Sequence, residues 1–238
     1  MIVAYAIAPH GDLDDAPATR AGMETIRERV TAARPDAIVV ATPHNVHVDG
    51  HFAVVTSARV GEREVDRALA LALLDELRVP AVGVSFGGND PAEAEMPIDW
   101  GTEIPLAFVP DVPVVVVSPA RERSLAEHVQ VGEAIAAVGE RKRVALVASA
   151  DHGHAHDPNG PYGFDPAAAE YDERVVATVR TRRLADLLEL GDLAARAKAD
   201  SLWQLLILHG AIGAGAPLEL LSYEVPSYYG MLCAVGPD

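Results

Sequence analysis

The sequence predicts an α/β fold, a single domain over residues 1–238 with a mainly parallel central sheet and helices on both faces. Three observations predict it. Short β-branched runs alternate with amphipathic helical stretches along the whole chain. Half of the residues are apolar, enough for a substantial core in a chain of this size. No composition shift, internal repeat or low-complexity tract marks a linker.

The elements follow in order. Ile2–Ala8 reads as a strand, and Thr19–Ala33 is helical in pattern until Pro35 ends it. Ala37–Thr42 is a buried strand and His51–Ser57 another candidate. Glu62–Arg78 is expected to be a helix with Leu and Ala on its apolar face. The runs AVGVSF and VPVVVVS follow as strands. Ser124 opens a further helix, with Glu127 three residues on as a capping box. Val144–Ser149 is the next strand. Asp165-Pro166 gives a helix start, and helical pattern covers Ala167–Leu190. Ser201–His209 is apolar nearly all round, Leu218–Val225 is a late strand, and Met231–Val235 is placed to pair with it.

The balance of charge narrows the partners. A formal net charge of −16 repels phosphate backbones, and no Lys/Arg run offsets it, so nucleic acid is not expected as a partner. The single cysteine, Cys233, can form neither an intrachain disulfide nor a thiolate cluster for metal. The start of the chain has no basic lead and no small-residue cleavage site, so no signal peptide is expected. The longest apolar stretch, Leu202–Leu221, contains Gln204, His209, Pro217 and Glu219, which suit a buried helix and a loop better than a membrane span. A cytoplasmic protein without a membrane partner is the expectation.

In an open α/β sheet, ligands bind beyond the carboxyl ends of the strands. After the first strand comes Pro9-His10-Gly11-Asp12, and after the second Pro43-His44-Asn45-Val46-His47. After Val144–Ser149 come His152, His154 and His156 within Asp151–Asp157. The late strand carries Glu224 near its end. Seven of the nine histidines lie next to strands, whereas His128 and His209 lie in helical stretches and read as helix-face or core residues. Histidines at three strand ends and a carboxylate at a fourth suggest a built metal site, with His10, His44, His152, His154, His156 and Glu224 among the candidate residues. Two imidazoles and one carboxylate are the ligand set of non-haem Fe(II) oxygenases, and they also suit Zn or Mn. The turn-rich segments Gly87-Gly88-Asn89 and Pro158-Asn159-Gly160-Pro161 are candidates to cap such a site.

At these residues the sequence resembles the class III (LigB-type) extradiol ring-cleavage dioxygenases. The match runs through Ala8-Pro9-His10-Gly11, Ala41-Thr42-Pro43-His44, Ser149-Ala150-Asp151-His152-Gly153-His154, and Tyr223-Glu224-Val225-Pro226 ahead of Tyr228-Tyr229-Gly230. The resemblance implies Fe(II) held by His10, His44 and Glu224, with His154 on the catalytic histidine. It implies a small aromatic substrate of catechol or aminophenol type, cleaved with O₂. A homo-oligomer is the expected assembly. One departure stands out: where many members read Asp-His-Gly, this chain reads Asp99-Trp100-Gly101. Indole has no titratable proton to give, so His47, His152 or Tyr162 would have to serve, or the substrate differs. His152 is therefore a second catalytic candidate beside His154. Three other readings use the same residues: a Memo-like binding or regulatory protein, a Zn-dependent hydrolase, and a non-catalytic subunit of a heteromeric dioxygenase.

Overall fold

A computed structural model describes residues 1–87 and 89–237. Gly88, within the turn-rich Gly87–Asn89 segment, lies outside the described residues, as does Asp238. In chain order the elements are β1 (Ile2–Ala8), α1 (Pro17–Ala32), β2 (Ala37–Ala41), β3 (Phe52–Val55), β4 (Arg59–Val60), β5 (Arg63–Glu64) and α2 (Arg67–Glu76). Then come β6 (Ala81–Val84), β7 (Glu95–Met96), α3 (Trp100–Leu106), β8 (Val114–Ser118), α4 (Leu125–Gly139) and β9 (Val144–Ser149). The chain ends with α5 (Ala167–Thr181), a 3₁₀ turn at Leu184–Glu189, α6 (Gly191–Ala197), α7 (Leu202–Ile212), β10 (Glu219–Glu224) and β11 (Met231–Gly236).

Eight strands form one sheet in the order β10-β11-β1-β9-β2-β8-β3-β6. The central run β1-β9-β2-β8 is parallel throughout, as is the β3–β6 pair; β11 and the β8–β3 junction introduce the antiparallel contacts. Side chains alternate between faces along each strand, and two cores result. Tyr5, Ile7, Val39 and Leu146 face α2, α4, α5 and α7, whereas Ala4, Ala6, Val40 and Val147 face α1 and α3. The predicted helices on both faces are thus present, over a mixed sheet that is mostly parallel.

Helix α7 is apolar nearly all round because it is enclosed. The sheet lies against one side and α4 against another, and a side chain at Gly132 or Gly210 would collide with the facing helix backbone. This close packing seats α7 against α4, and the site below lies at the start of α7. No helix among the described residues is long and apolar enough to cross a membrane.

The expected helix Glu62–Arg78 begins only at Arg67. Its first residues form the β4–β5 hairpin of a small second sheet with β7, and Asp66 caps α2 by accepting the Leu69 N–H at 3.1 Å. The helical pattern from Ala167 to Leu190 breaks at Arg182, which adopts the left-handed conformation at φ 58°, and resumes as the 3₁₀ turn. Helices α3 and α6, each of seven residues, have too few turns to show a periodicity.

His128 lies on the buried face of α4, its ring edge-on to Phe52 at 4.8 Å, and its Nδ1 meets the Ser124 carbonyl at 3.0 Å. Burial pushes this imidazole down to about 4, against weaker upward pulls from the Ser124 carbonyl and Glu127. The unfolded chain takes up this proton near pH 6.5 and the folded chain only near 4, so the group's contribution is lost as pH falls through that window. Urea melts should therefore show wild-type stability falling by roughly 3 kcal/mol more than that of a His128→Gln variant between these pH values. Equal losses would contradict the assignment.

Candidate metal centre

Strands β1, β9 and β2 are neighbours and run in the same direction, so their carboxyl ends open at one rim. His10 and His44 leave that rim just after β1 and β2, and their rings meet edge-on at 5.0 Å. Asp200, between α6 and α7, closes the group: its Oδ2 lies 3.6 Å from Nε2 of His10 and 3.6 Å from Nε2 of His44. These three residues offer donor atoms that all lie within 4.8 Å of one another.

Each member is held from behind. Ser149, the last residue of β9, gives its hydroxyl proton to the Gly101 carbonyl and so accepts from Nδ1–H of His10 at 2.9 Å. That leaves Nε2 of His10 as the free donor, aimed at Asp200. Asp151 accepts the His10 backbone N–H at 3.0 Å. Asp200 is placed by Gln204, which donates to the Asp200 carbonyl at 2.6 Å and to the Ser149 carbonyl at 3.0 Å, tying α7 to β9. His44 packs against Gly101, where any side chain would strike its ring, and its carbonyl accepts the Ser118 hydroxyl at 3.0 Å.

The charges in this group are those that could hold a cation. Burial alone would push the His10 imidazole down, but Asp151 and Asp200 beside it reverse the effect and raise it to about 9. Burial would likewise raise Asp200, yet the two imidazoles hold its carboxyl well below the usual carboxylate range. Oδ1 of Asp200 is buried without a hydrogen-bond partner. A buried carboxylate with an unsatisfied oxygen facing two imidazole nitrogens fits a divalent metal, which would take the place of the shared proton. The donor set of two neutral nitrogens and one carboxylate suits Fe(II), Zn or Mn.

Glu224 is not brought to this group, which corrects the expected ligand set. It does end β10 at the same rim, but β11 lies between β10 and β1. Two strand spacings of about 4.8 Å put it roughly 10 Å to the side. Its Oε1 accepts the Thr19 N–H at 2.5 Å, in the first turn of α1, where Ala16 provides no side-chain cap. Glu224 thus satisfies an orphan amide at a positive helix end. Glu224→Ala is expected to cost about 1 kcal/mol of stability in denaturant melts and to leave the metal-to-protein ratio unchanged; loss of bound metal would return Glu224 to the ligand set.

The other histidines separate by environment. His152 is fully buried behind the site, with Nδ1 3.0 Å from the hydroxyl of Ser201, which Tyr171 also contacts at 2.9 Å. Burial pushes its imidazole down, and it does not line the cavity, so the structure gives it a packing role rather than the expected catalytic one. His47 sits in an exposed group with Asp49 and Glu122, away from the cavity. His156 pairs with Asp172 at 2.9 Å.

His154 does face the site. Its Nδ1 lies 2.7 Å from the His152 carbonyl, which can only accept, so Nδ1 bears a hydrogen and Nε2 is the ring nitrogen turned to the site. The ring stacks on Tyr229 at 5.4 Å and meets Tyr162 edge-on at 5.8 Å. Together with His10, His44 and Asp200 it lines a cavity of about 720 Å³, walled by Leu13, Trp100, Ile104 and Phe108. Trp100 faces this cavity from the start of α3, its ring 4.7 Å from His44. Tyr162 and Tyr228 line it as well, and the segment Pro158–Pro161 precedes Tyr162 at its edge.

Asp200 escaped the sequence reading because it follows a short helix rather than a strand. The available signal was an Asp-Ser pair before a mostly apolar helix, which reads equally well as a helix start.

The family model for the catalytic LigB subunit of aromatic ring-opening dioxygenase matches residues 5–232. The crystal structure of the uncharacterized protein JW3007 from Escherichia coli K12 is similar over 98% of this chain and 99% of that one, with a TM-score of 0.68 and 21% identity, which shows a shared fold. No curated protein matches the chain.

Proposed function

As the chain belongs to the family of catalytic LigB subunits of aromatic ring-opening dioxygenases, we propose that it opens the ring of a catechol- or aminophenol-type substrate with O₂, using one Fe(II) held by His10, His44 and Asp200. The observation that carries this reading is the convergence of two imidazole nitrogens and one buried carboxylate at the floor of an apolar-walled cavity. Fe(II) bound there would supply open positions for the two substrate heteroatoms and O₂, and would acidify a bound hydroxyl.

The chain's own residues account for the remaining work. Leu13, Trp100, Ile104 and Phe108 present flat and aliphatic surface to an aromatic ring and keep water from it. Nε2 of His154 is free to take a hydroxyl proton and return it as the ring opens, because the His152 carbonyl fixes the proton on Nδ1. Tyr229 backs the His154 ring and holds its plane. Trp100 occupies a wall position as apolar surface and transfers no proton, which leaves that work to His154 and the tyrosine hydroxyls that line the cavity, Tyr162 among them.

The test is anaerobic loading with Fe(II), followed by O₂ uptake with a panel of catechols and aminophenols. One O₂ consumed per ring lost is expected, with both oxygen atoms in the product, and no uptake from Zn-loaded protein. Ester or amide hydrolysis by the Zn-loaded protein, without O₂ uptake by the Fe-loaded one, would replace this reading with that of a hydrolase.

A further inference from the structure

The buried carboxylate of Asp172 has no part in the candidate metal centre, yet it grips the loop that carries His154 on both sides of that residue. Asp172 lies on the buried face of α5 with Ala168, Tyr171, Val175 and Val176. One oxygen, Oδ1, accepts the Gly153 N–H at 2.8 Å. The other, Oδ2, meets Nε2 of His156 at 2.9 Å and accepts the Tyr223 hydroxyl at 2.8 Å. A carboxylate accepts, so Nε2 of His156 bears the hydrogen of that bond. Among the described residues His156 is the only basic group paired with Asp172.

The loop needs such a hold. A side chain at Gly153 would strike Ala168 of α5, and the glycine that fits there leaves the backbone just before His154 free to turn. The Gly153 carbonyl accepts the Gly230 N–H at 3.1 Å, and the His156 N–H donates to the Tyr228 carbonyl at 3.2 Å. The same loop is thus laced to the run that brings Tyr228 and Tyr229 against the His154 ring. Asp172 fits close beneath that run, where a side chain at Gly230 would strike its Oδ2. A buried ion pair adds little net stability over apolar side chains of the same volume, but no apolar side chain could join Gly153 to His156.

We propose that Asp172 and His156 are positioning residues: the carboxylate brackets the loop at Gly153 and at His156, and so holds the His154 ring with Nδ1 on the His152 carbonyl and Nε2 toward the candidate metal centre. The proposal rests on the ring-opening reading for the acid–base role of His154. Neither Asp172 nor His156 lines the cavity, so both act on the reaction only through His154.

The His154 ring reports the bracket without turnover. Long-range proton–nitrogen NMR spectra of Zn-loaded protein, with the His154 signals identified by their loss in His154→Ala, should show one tautomer with hydrogen on Nδ1 in the wild-type chain. His156→Leu alters a partly exposed position, so the fold should persist. It is expected to leave His154 averaging between tautomers, with metal content unchanged. Asp172→Asn, of the same size but with one acceptor oxygen in place of two, should do the same. His156→Gln keeps an N–H donor for Asp172 and should restore the single tautomer. In Fe(II)-loaded protein kcat of His156→Leu should fall by about 10–10²-fold with KM changed less than about twofold, and His156→Gln should recover most of the loss. Averaged tautomers in the wild-type chain, equal effects of Leu and Gln at position 156, or His154 signals unchanged in both His156→Leu and Asp172→Asn with only the melt lowered would each overturn the proposal. The failure of ring opening reads separately, because a wild-type chain that consumes no O₂, while His156→Leu still frees the His154 ring, keeps the bracket and loses the proposed reaction.

Discussion

Asp200→Ala should abolish stoichiometric metal binding while leaving the protein folded. Among the described residues, Asp200 supplies the only carboxylate that reaches both His10 and His44, at 3.6 Å from each Nε2. Without it two imidazoles remain, too few ligands and with no negative charge, to hold a divalent ion against water. The fall in affinity should exceed the roughly 10–100-fold typical of losing an outer-shell partner. Asp200→Asn separates charge from packing: the amide keeps the volume beside Gln204 but removes the charge, and should bind metal poorly with a near-native melt. Elemental analysis after Fe(II) loading and desalting reads both variants. Full occupancy in Asp200→Asn would show that the carboxylate is not a ligand.

His154→Ala should keep the metal and lose turnover by about 10²–10⁴-fold, the range for a positioned acid–base group. The imidazole lines the cavity beside the centre, yet among the described residues it belongs to none of the groups able to hold an ion. His152→Ala gives the contrast. That ring is buried against Ser201 outside the cavity, so its loss should act on stability and on the placement of Asp200. Turnover by the His154 variant at the wild-type rate, with metal bound, would remove the acid–base assignment.

The part of the site that was legible in the sequence is the part built by strands. Ile2–Ala8, Ala37–Ala41 and Val144–Ser149 are apolar runs of strand length, so the residues just after them are marked as rim residues; His10, His44 and the group His152, His154 and His156 follow from that, and the family resemblance picks His154 from the group. Glu224 misled because it does end a strand at the same rim. What decides its place is strand order, and nothing in a single sequence says that β11 inserts between β10 and β1. Asp200 was hidden for a related reason. It reaches the rim because α7 packs glycine-close on α4 and because Gln204 ties it to β9, contacts between segments far apart in sequence. The hairpin at the start of the expected Glu62–Arg78 helix shows the same limit: Leu and Ala periodicity marks the body of α2, and Asp66 rather than periodicity sets where it starts.

The most direct test of the centre is a crystal structure of the Fe(II)-loaded protein grown without oxygen, with anomalous data collected at the iron edge. One anomalous peak is predicted, about 2.0–2.2 Å from Nε2 of His10, Nε2 of His44 and a carboxylate oxygen of Asp200, with Glu224 still on the Thr19 amide. A peak coordinated by Glu224, or iron at the exposed His47, Asp49 and Glu122 group with none between His10 and His44, would contradict the account.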